Sequence, residues 1–389
     1  MTFEFVCHAT PSMRSVWGPG ALGQIAVELD RVRAESVVLV CGRSMSADDA
    51  TMSSVREALG TRLAGVFSAA REHSPVTSVE EAARVIEDAS ADAVIALGGG
   101  SAIVTARAAS ILVAEAVPVR ELATTRGADG RLVSPRLAAP KLPQFILATT
   151  PTTAYAKAGA AVRDTETGER LALFDPKARA SVVIFDERLA ETAPSALVVS
   201  ASLNALSMSV DGVQSARSDP LAEAYFAQAI REIVTTLPCI VAGDEGDTGS
   251  SRVRLMIAAL MAGHASDFVG TGISQPLSHA IGPVSTTSNG NVEALLLPHV
   301  ARFNMDVTSG QLAKVGGVVS RERVSAHDVP GLLEAFLADI DAPTTLREIG
   351  IEKADFPTII AHAHDDWSLT RVPKPIDADG LRALLEEAW

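Results

Sequence analysis

The chain has 389 residues, 47% of them hydrophobic and 21% charged, with a formal net charge of −14. That length is too great for one small core and predicts two domains around buried apolar centres. The acidic balance argues against nucleic acid or an anionic membrane as partner, because both bind through basic surface, while a small anionic substrate needs only a local Arg or Lys cluster.

The first residues, MTFEFVCHATPSMRS, lack the charged and apolar regions of a signal peptide. No apolar run of about 18 residues is read as a membrane span. Val37–Cys41 is a β-rich run, followed by a helical stretch over Ala47–Leu63 and a weaker strand at Gly65–Ser68. Ser78–Ala89 reads as a helix, with Ser78 as N-cap and Glu80 and Glu81 in its first turn. Asp92–Leu97 is a buried strand that runs into Gly98, Gly99, Gly100 and Ser101, and a helix follows to Glu115. Val119–Leu142 reads as a long loop and Phe145–Thr150 as a further strand. Ala158–Asp164 and Arg170–Asp175 flank a hairpin signal, Glu166-Thr167-Gly168-Glu169. Alternation of this kind implies a parallel sheet covered by helices. After Asp186 the texture turns helical: Ser195–Val213, Pro220–Leu237, Ser251–Phe268, Glu293–Asn304, Gly331–Ile340 and Asp377–Trp389. Pro194 is placed to open the first of these. The expected domains are 1–187, a dinucleotide-binding α/β domain, and 188–389, all-helical. The three cysteines, Cys7, Cys41 and Cys239, are far apart and form no CxxC pair, which predicts a reducing, cytoplasmic setting.

A strand, a glycine turn and a helix make a phosphate-binding arrangement, since the backbone can approach closely and helix N–H groups face an anion. Three glycines after a strand are also compatible with tight packing alone. Arg43 follows the strand Val37–Cys41, where a dinucleotide fold places the adenine ribose; it reads either as a contact to a 2′-phosphate or as a solvated loop residue. His362 and His364, in AHAHDD, would diverge at i and i+2 on a helix, so that segment reads as a solvated acidic turn rather than a metal site. His264 and His299 read as structural.

Gly270–Asn304, GTGISQPLSHAIGPVSTTSNGNVEALLLPHVARFN, resembles the active-site helix and following loop of the iron-dependent (group III) alcohol dehydrogenases and the maleylacetate reductases. Trp17-Gly18-Pro19-Gly20, Gly98–Ser101, Glu72-His73-Ser74-Pro75-Val76, Phe185–Ala190 and the C-terminal Pro373-Lys374-Pro375 … Trp389 extend the resemblance over the whole chain. Val104, at the position where the dehydrogenases carry an acid, leans towards the reductases. The resemblance implies an α/β N-terminal Rossmann-like domain with a parallel sheet and an all-α C-terminal domain, the dehydroquinate synthase-like or iron alcohol dehydrogenase fold. It implies a nicotinamide cofactor, NAD(P)H, with Arg43 tilting the expectation to NADPH. Gly98, Gly99, Gly100, Ser101, Thr149, Thr150, Thr152 and Thr153 would hold it. The resemblance, and no residue pattern of this chain, implies a homodimer.

The family's metal-ligand positions are filled here by Asn204, Met208, Gln275 and Asn289. Neutral amides and a thioether compete poorly with water for a hard or borderline divalent ion, so no catalytic metal is expected. Only His279 keeps its place, and it is expected to donate a proton or to contact the nicotinamide. Asn204 and Gln275 would offer amide N–H groups to a substrate oxygen, with Met208, Asn289 and Arg107 lining the pocket. In the stretch after Pro151-Thr152-Thr153, Lys157 is a cation the family pattern lacks, and Tyr155 offers a hydroxyl; both are read as candidate catalytic groups. For the amides plain packing is the competing reading, and for Lys157 a surface lysine. The chemistry expected is reduction of a small polar conjugated carbonyl, C=C or C=N compound, anionic ones included. A second reading is a non-redox cyclisation, elimination or isomerisation in the former metal pocket. A third is a binding protein without catalysis.

Overall fold

The apolar runs of the first half form one parallel sheet. In the computed structural model, residues 8–127, 132–364, 366, 368–369 and 372–389 are described. The order is β1 (Arg14–Trp17), α1 (Ile25–Val32), β2 (Val37–Cys41), α2 (Arg43–Ser46), α3 (Asp49–Leu59), β3 (Leu63–Phe67), α4 (Val76–Asp88), β4 (Ala93–Gly98) and α5 (Gly100–Glu115). Next come the short β5 (Thr125–Arg126) and β6 (Leu132–Val133), then β7 (Gln144–Ala148), the hairpin β8 (Gly159–Arg163) and β9 (Arg170–Phe174), β10 (Ala180–Phe185) and α6 (Glu187–Glu191). The six-stranded sheet runs β1-β10-β7-β4-β2-β3, and every pair in it is parallel. β2, β4 and β7 are buried at every position, as strands covered by helices on both faces must be.

This α/β unit comprises Pro11–Thr150 and Ala154–Ala193. From β2 the chain adds β3 on one side and β4 on the other. The strand order therefore reverses between β2 and β4, and open α/β sheets hold ligands at the carboxyl ends of such a pair.

The helical unit comprises Pro194–Trp389, Pro151–Thr153 and, of the N-terminal segment, the described residues 8–10. Its helices are α7 (Ser195–Gln214), α8 (Pro220–Ala242), α9 (Gly249–Val269), α10 (Ser274–Ile281), α11 (Asn289–Ser320), α12 (Val329–Asp339), α13 (Phe356–His364) and α14 (Ala378–Glu387). One core cluster joins α10, the start of α11, α13 and α14 through Ile273, Leu277, Leu296, Phe356 and Leu385.

Four sequence expectations are corrected. α4 begins at Val76, because Pro75 opens it; Ser78 lies inside the first turn and donates its hydroxyl to the Ala69 carbonyl at 2.9 Å. α11 is 32 residues long, with Pro298 inside and a non-helical residue at Thr308, whereas the sequence pattern stopped at Asn304. The 119–142 loop contains the short β5–β6 pair; residues 128–131 lie outside the described part. α7 is long and apolar enough to cross a bilayer by length and composition, although 67% of that stretch is buried inside the protein, as in a core helix.

Candidate active site

The carboxyl edge of the sheet gathers the glycine turn. Gly98 has φ +142, a backbone that side-chain-bearing residues rarely adopt. At Gly99 a Cβ would fall 2.3 Å from Thr150 Oγ1, so the turn and the end of β7 touch backbone to side chain. Thr149 N–H donates to the Gly98 carbonyl at 3.3 Å. No side chain caps the start of α5, which leaves its first N–H groups to an anion or to water. Ser74, from the segment before α4, donates its hydroxyl to the Ser101 carbonyl at 3.2 Å and accepts from Thr105 at 3.1 Å. Arg43 is exposed at the first position of α2, just past the carboxyl end of β2. Thr149 and Thr150 are buried beside the turn, whereas Thr152 and Thr153 group with the helical unit.

Two candidates from the sequence turn inward. Arg107 is fully buried and donates to Gln144 Oε1 (3.2 Å) and to the carbonyls of Ala154 (2.9 Å), Gly159 (3.0 Å) and Ala178 (3.2 Å). A guanidinium needs several acceptors to be buried, and here backbone carbonyls supply them. Arg107 therefore ties α5 to the β7–β10 region rather than lining a substrate pocket. Tyr155 is also fully buried and gives its hydroxyl to the Thr150 carbonyl, with its ring edge-on to Phe185. Burial pushes its pKa well above the ordinary phenol value, so it is a poor proton donor to a substrate. Tyr155→Phe is expected to cost about 1 kcal/mol, the net worth of one hydrogen bond, and to leave catalysis unchanged; denaturant unfolding and initial rates check both. Lys157 is half-buried just before β8.

In the helical unit a polar stripe runs along α7. Ser200, Asn204, Met208 and Asp211 recur at the spacing that puts them on one helical face. Each meets another element in turn. Ser200 Oγ donates to Ser288 Oγ at 2.6 Å, and Asn204 Nδ2 to Glu293 Oε2 at 2.6 Å. Ser266 Oγ donates to the Met208 sulfur at 3.7 Å, and Ser274 N–H to Asp211 Oδ2 at 3.4 Å. Gly290 permits the approach of α11 to α7: a Cβ there would fall 1.8 Å from the Ser200 carbonyl oxygen. On α10, Gln275 Oε1 accepts from Thr271 Oγ1 at 2.8 Å. Asn289 opens α11, its side chain near Gly282 at the end of α10.

His279, in the last turn of α10, has its Nδ1 2.8 Å from Asp366 Oδ2. Asp366 in turn accepts Ser368 N–H at 2.8 Å and Ser368 Oγ at 2.5 Å through Oδ1. Burial opposes ionisation of Asp366, yet the hydrogen bonds from His279 and Ser368 hold its carboxyl well below the usual range. The sequence placed Asp366 in a solvated turn; it is instead a largely buried partner of His279. His362 and His364 are exposed in the last turn of α13. His299 meets Glu387 at 3.2 Å, with burial lowering its pKa, and His264 stacks on Tyr225.

The α/β half and the helical half each match a known family. The description of the iron-containing alcohol dehydrogenases matches residues 12–187, and that of the family's C-terminal region matches residues 198–389. The chain belongs to the iron-containing alcohol dehydrogenase family. Within the family it is 27% identical over 383 residues to maleylacetate reductase 1 of Cupriavidus pinatubonensis (strain JMP 134 / LMG 1197), covering 97% of this chain and 95% of the relative. It is 27% identical over 382 residues to lactaldehyde reductase of Escherichia coli (strain K12), covering 96% and 97%. Of solved structures, that of 1,3-propanediol oxidoreductase superposes with a TM-score of 0.89 at 22% identity, over 99% of this chain and 100% of the other; this shows the fold. These relatives carry the names of reductases and oxidoreductases.

Proposed function

We propose that the chain is an NAD(P)H-dependent reductase that works without a catalytic metal on a small polar carbonyl, C=C or C=N compound. The observation that carries this reading is the His279–Asp366 pair. Reduction adds a hydride to carbon and a proton to oxygen, nitrogen or the second carbon. NAD(P)H, when bound, supplies the hydride. Asp366 accepts from Nδ1 of His279, so Nε2 is the ring atom that gives up the proton, and the carboxylate stabilises the imidazolium beforehand. The glycine turn at the sheet's switch point, with Thr149 and Thr150 beside it after β7, supports the nucleotide, and Arg43 supports the phosphorylated form.

The four positions that resemble metal ligands do not fit a divalent ion. Asn204 is turned onto Glu293, the Met208 sulfur onto Ser266 and Gln275 onto Thr271; Asn289 adds a fourth neutral group. Divalent zinc or iron is held by imidazole, thiolate or carboxylate, which these side chains are not. Polarisation of the reacting group then falls to hydrogen-bond donors.

Titration with NADH and NADPH, followed by nicotinamide fluorescence, tests the reading. Tight binding of at least one is expected; binding of neither would sink it. Dialysis against EDTA is expected to leave the rate of nicotinamide oxidation unchanged, and one equivalent of iron or zinc in the purified protein would refute metal independence. Binding without hydride consumption across a panel of small aldehydes, enones and imines would favour the non-redox reading.

A further inference from the structure

Glu293 was read from the sequence only as the opening residue of a helix. In the structure it lies one turn beyond Asn289 on α11 with 1% of its surface exposed. Its two carboxylate oxygens take different partners: Oε2 accepts from Asn204 Nδ2 at 2.6 Å, and Oε1 from Ser278 Oγ at 3.2 Å. Ser278 is itself fully buried, next to His279 on α10. Glu293 thus joins α7, α10 and α11 where the family's metal ligands would converge.

The contact settles which way Asn204 faces. The two ends of an amide look alike in shape, but here the nitrogen faces Glu293 and donates to its Oε2, the orientation that an acceptor carboxylate selects. The Asn204 carbonyl oxygen then points away from the acid. Ser278 is constrained alike: its proton goes to Glu293, and only oxygen lone pairs remain. Asn204 had been read as an N–H donor to a substrate oxygen; one of its N–H groups is already engaged.

The geometry points to Glu293 as a positioning residue that fixes Asn204 with its carbonyl oxygen presented to the substrate. This rests on the reductase reading and narrows it. Beside the reducible bond the substrate carries a group that donates a hydrogen bond, a hydroxyl or an amine, rather than a carboxylate. A fixed acceptor selects a donor and leaves a carboxylate with two acceptors face to face, a mismatch that sites built on hydrogen bonds reject strongly.

Butane-1,4-diol and succinate share a four-carbon skeleton and differ in their ends, donors in one and acceptors only in the other. Their dissociation constants are measured by ligand-observed NMR on the full chain without nucleotide. Failure here is therefore separable from failure to bind NAD(P)H. The wild type is expected to prefer the diol by about tenfold, the scale of one net hydrogen bond. Glu293→Gln lets the Asn204 amide turn over, and the preference is expected to shrink. Asn204→Ala keeps the Glu293 carboxylate and its charge, so a loss of the preference in that variant separates the orientation of the amide from a simple loss of negative charge. Should Glu293→Gln fail to fold, Asn204→Ala removes the positioned amide, leaves Glu293 its Ser278 donor, and carries the same expected loss. Equal or tighter binding of succinate, binding of neither probe in the millimolar range, or a preference that folded Glu293→Gln or Asn204→Ala protein retains would each overturn the proposal.

Discussion

His279→Ala is expected to lower kcat/KM for NAD(P)H-dependent reduction by about 100-fold to 10,000-fold, the range that positioned general acids contribute. The nucleotide is expected to bind as before, because the glycine turn belongs to another unit of the chain. Asp366→Asn tests the same pair from the other side. An asparagine can keep an acceptor oxygen on Nδ1, but it cannot stabilise the imidazolium as a carboxylate does. A smaller loss is expected, together with a shift of the acid limb of the pH–rate profile. If His279→Ala retains full activity on a substrate that the wild type reduces, the proton comes from elsewhere, and the reading of the pair fails. The ion pair also has a stability signature. The folded pKa of Asp366 is depressed, so its contribution is present above the unfolded carboxylate value near 3.9 and disappears only as the pH falls towards the folded value. Above pH 5 the pair therefore adds no pH dependence through Asp366.

The fold was legible where burial and periodicity coincide. The strand at Val37–Cys41 was read to the residue, because a run of five apolar residues, β-branched at three, leaves no other local choice. α11 was cut short because Gly310, Gly316 and Gly317 interrupt the apolar spacing beyond Asn304, and tertiary packing overrides that weak local signal. The site divides on the same line. The glycine turn is a local backbone property and could be seen in sequence. Asp366 could not, since it lies 87 residues from His279 and only the packing of α10 and α13 brings them together. Tyr155 and Arg107 were placed at the site because they fall within or beside family motifs. A motif fixes where the backbone goes, however, and does not fix which way a large polar side chain turns. Both found enough backbone acceptors inside the α/β unit to be buried there.

Asp211 is expected to make this protein less stable as the pH rises from about 4 to about 7. Its side chain is buried, Oδ1 has no hydrogen-bond partner among the described residues, and Oδ2 accepts the long Ser274 N–H bond. Burial pushes its pKa up to about 7, against the opposing pull of Ser274. The carboxyl also sits at the N-terminus of α10, where a helix favours negative charge, but that effect is worth at most about 2 kcal/mol and a buried ion loses more. The folded pKa lies above the unfolded one, so between them the folded state binds the extra proton. Stability then falls with pH at up to about 1.4 kcal/mol per pH unit across that window and levels off above it. Asp211→Asn keeps the shape and removes the charge. It is expected to match the wild type near pH 4 and to exceed it by a few kcal/mol at pH 8. Urea unfolding of both proteins at pH 5, 6.5 and 8 measures this, and the difference between them cancels the slopes of other titrating groups. Identical pH slopes would show that water or a rearrangement solvates Asp211. A parallel loss of the difference in reductase activity between pH 6 and pH 8 would tie the carboxyl to the helix that carries Gln275 at one end and His279 at the other.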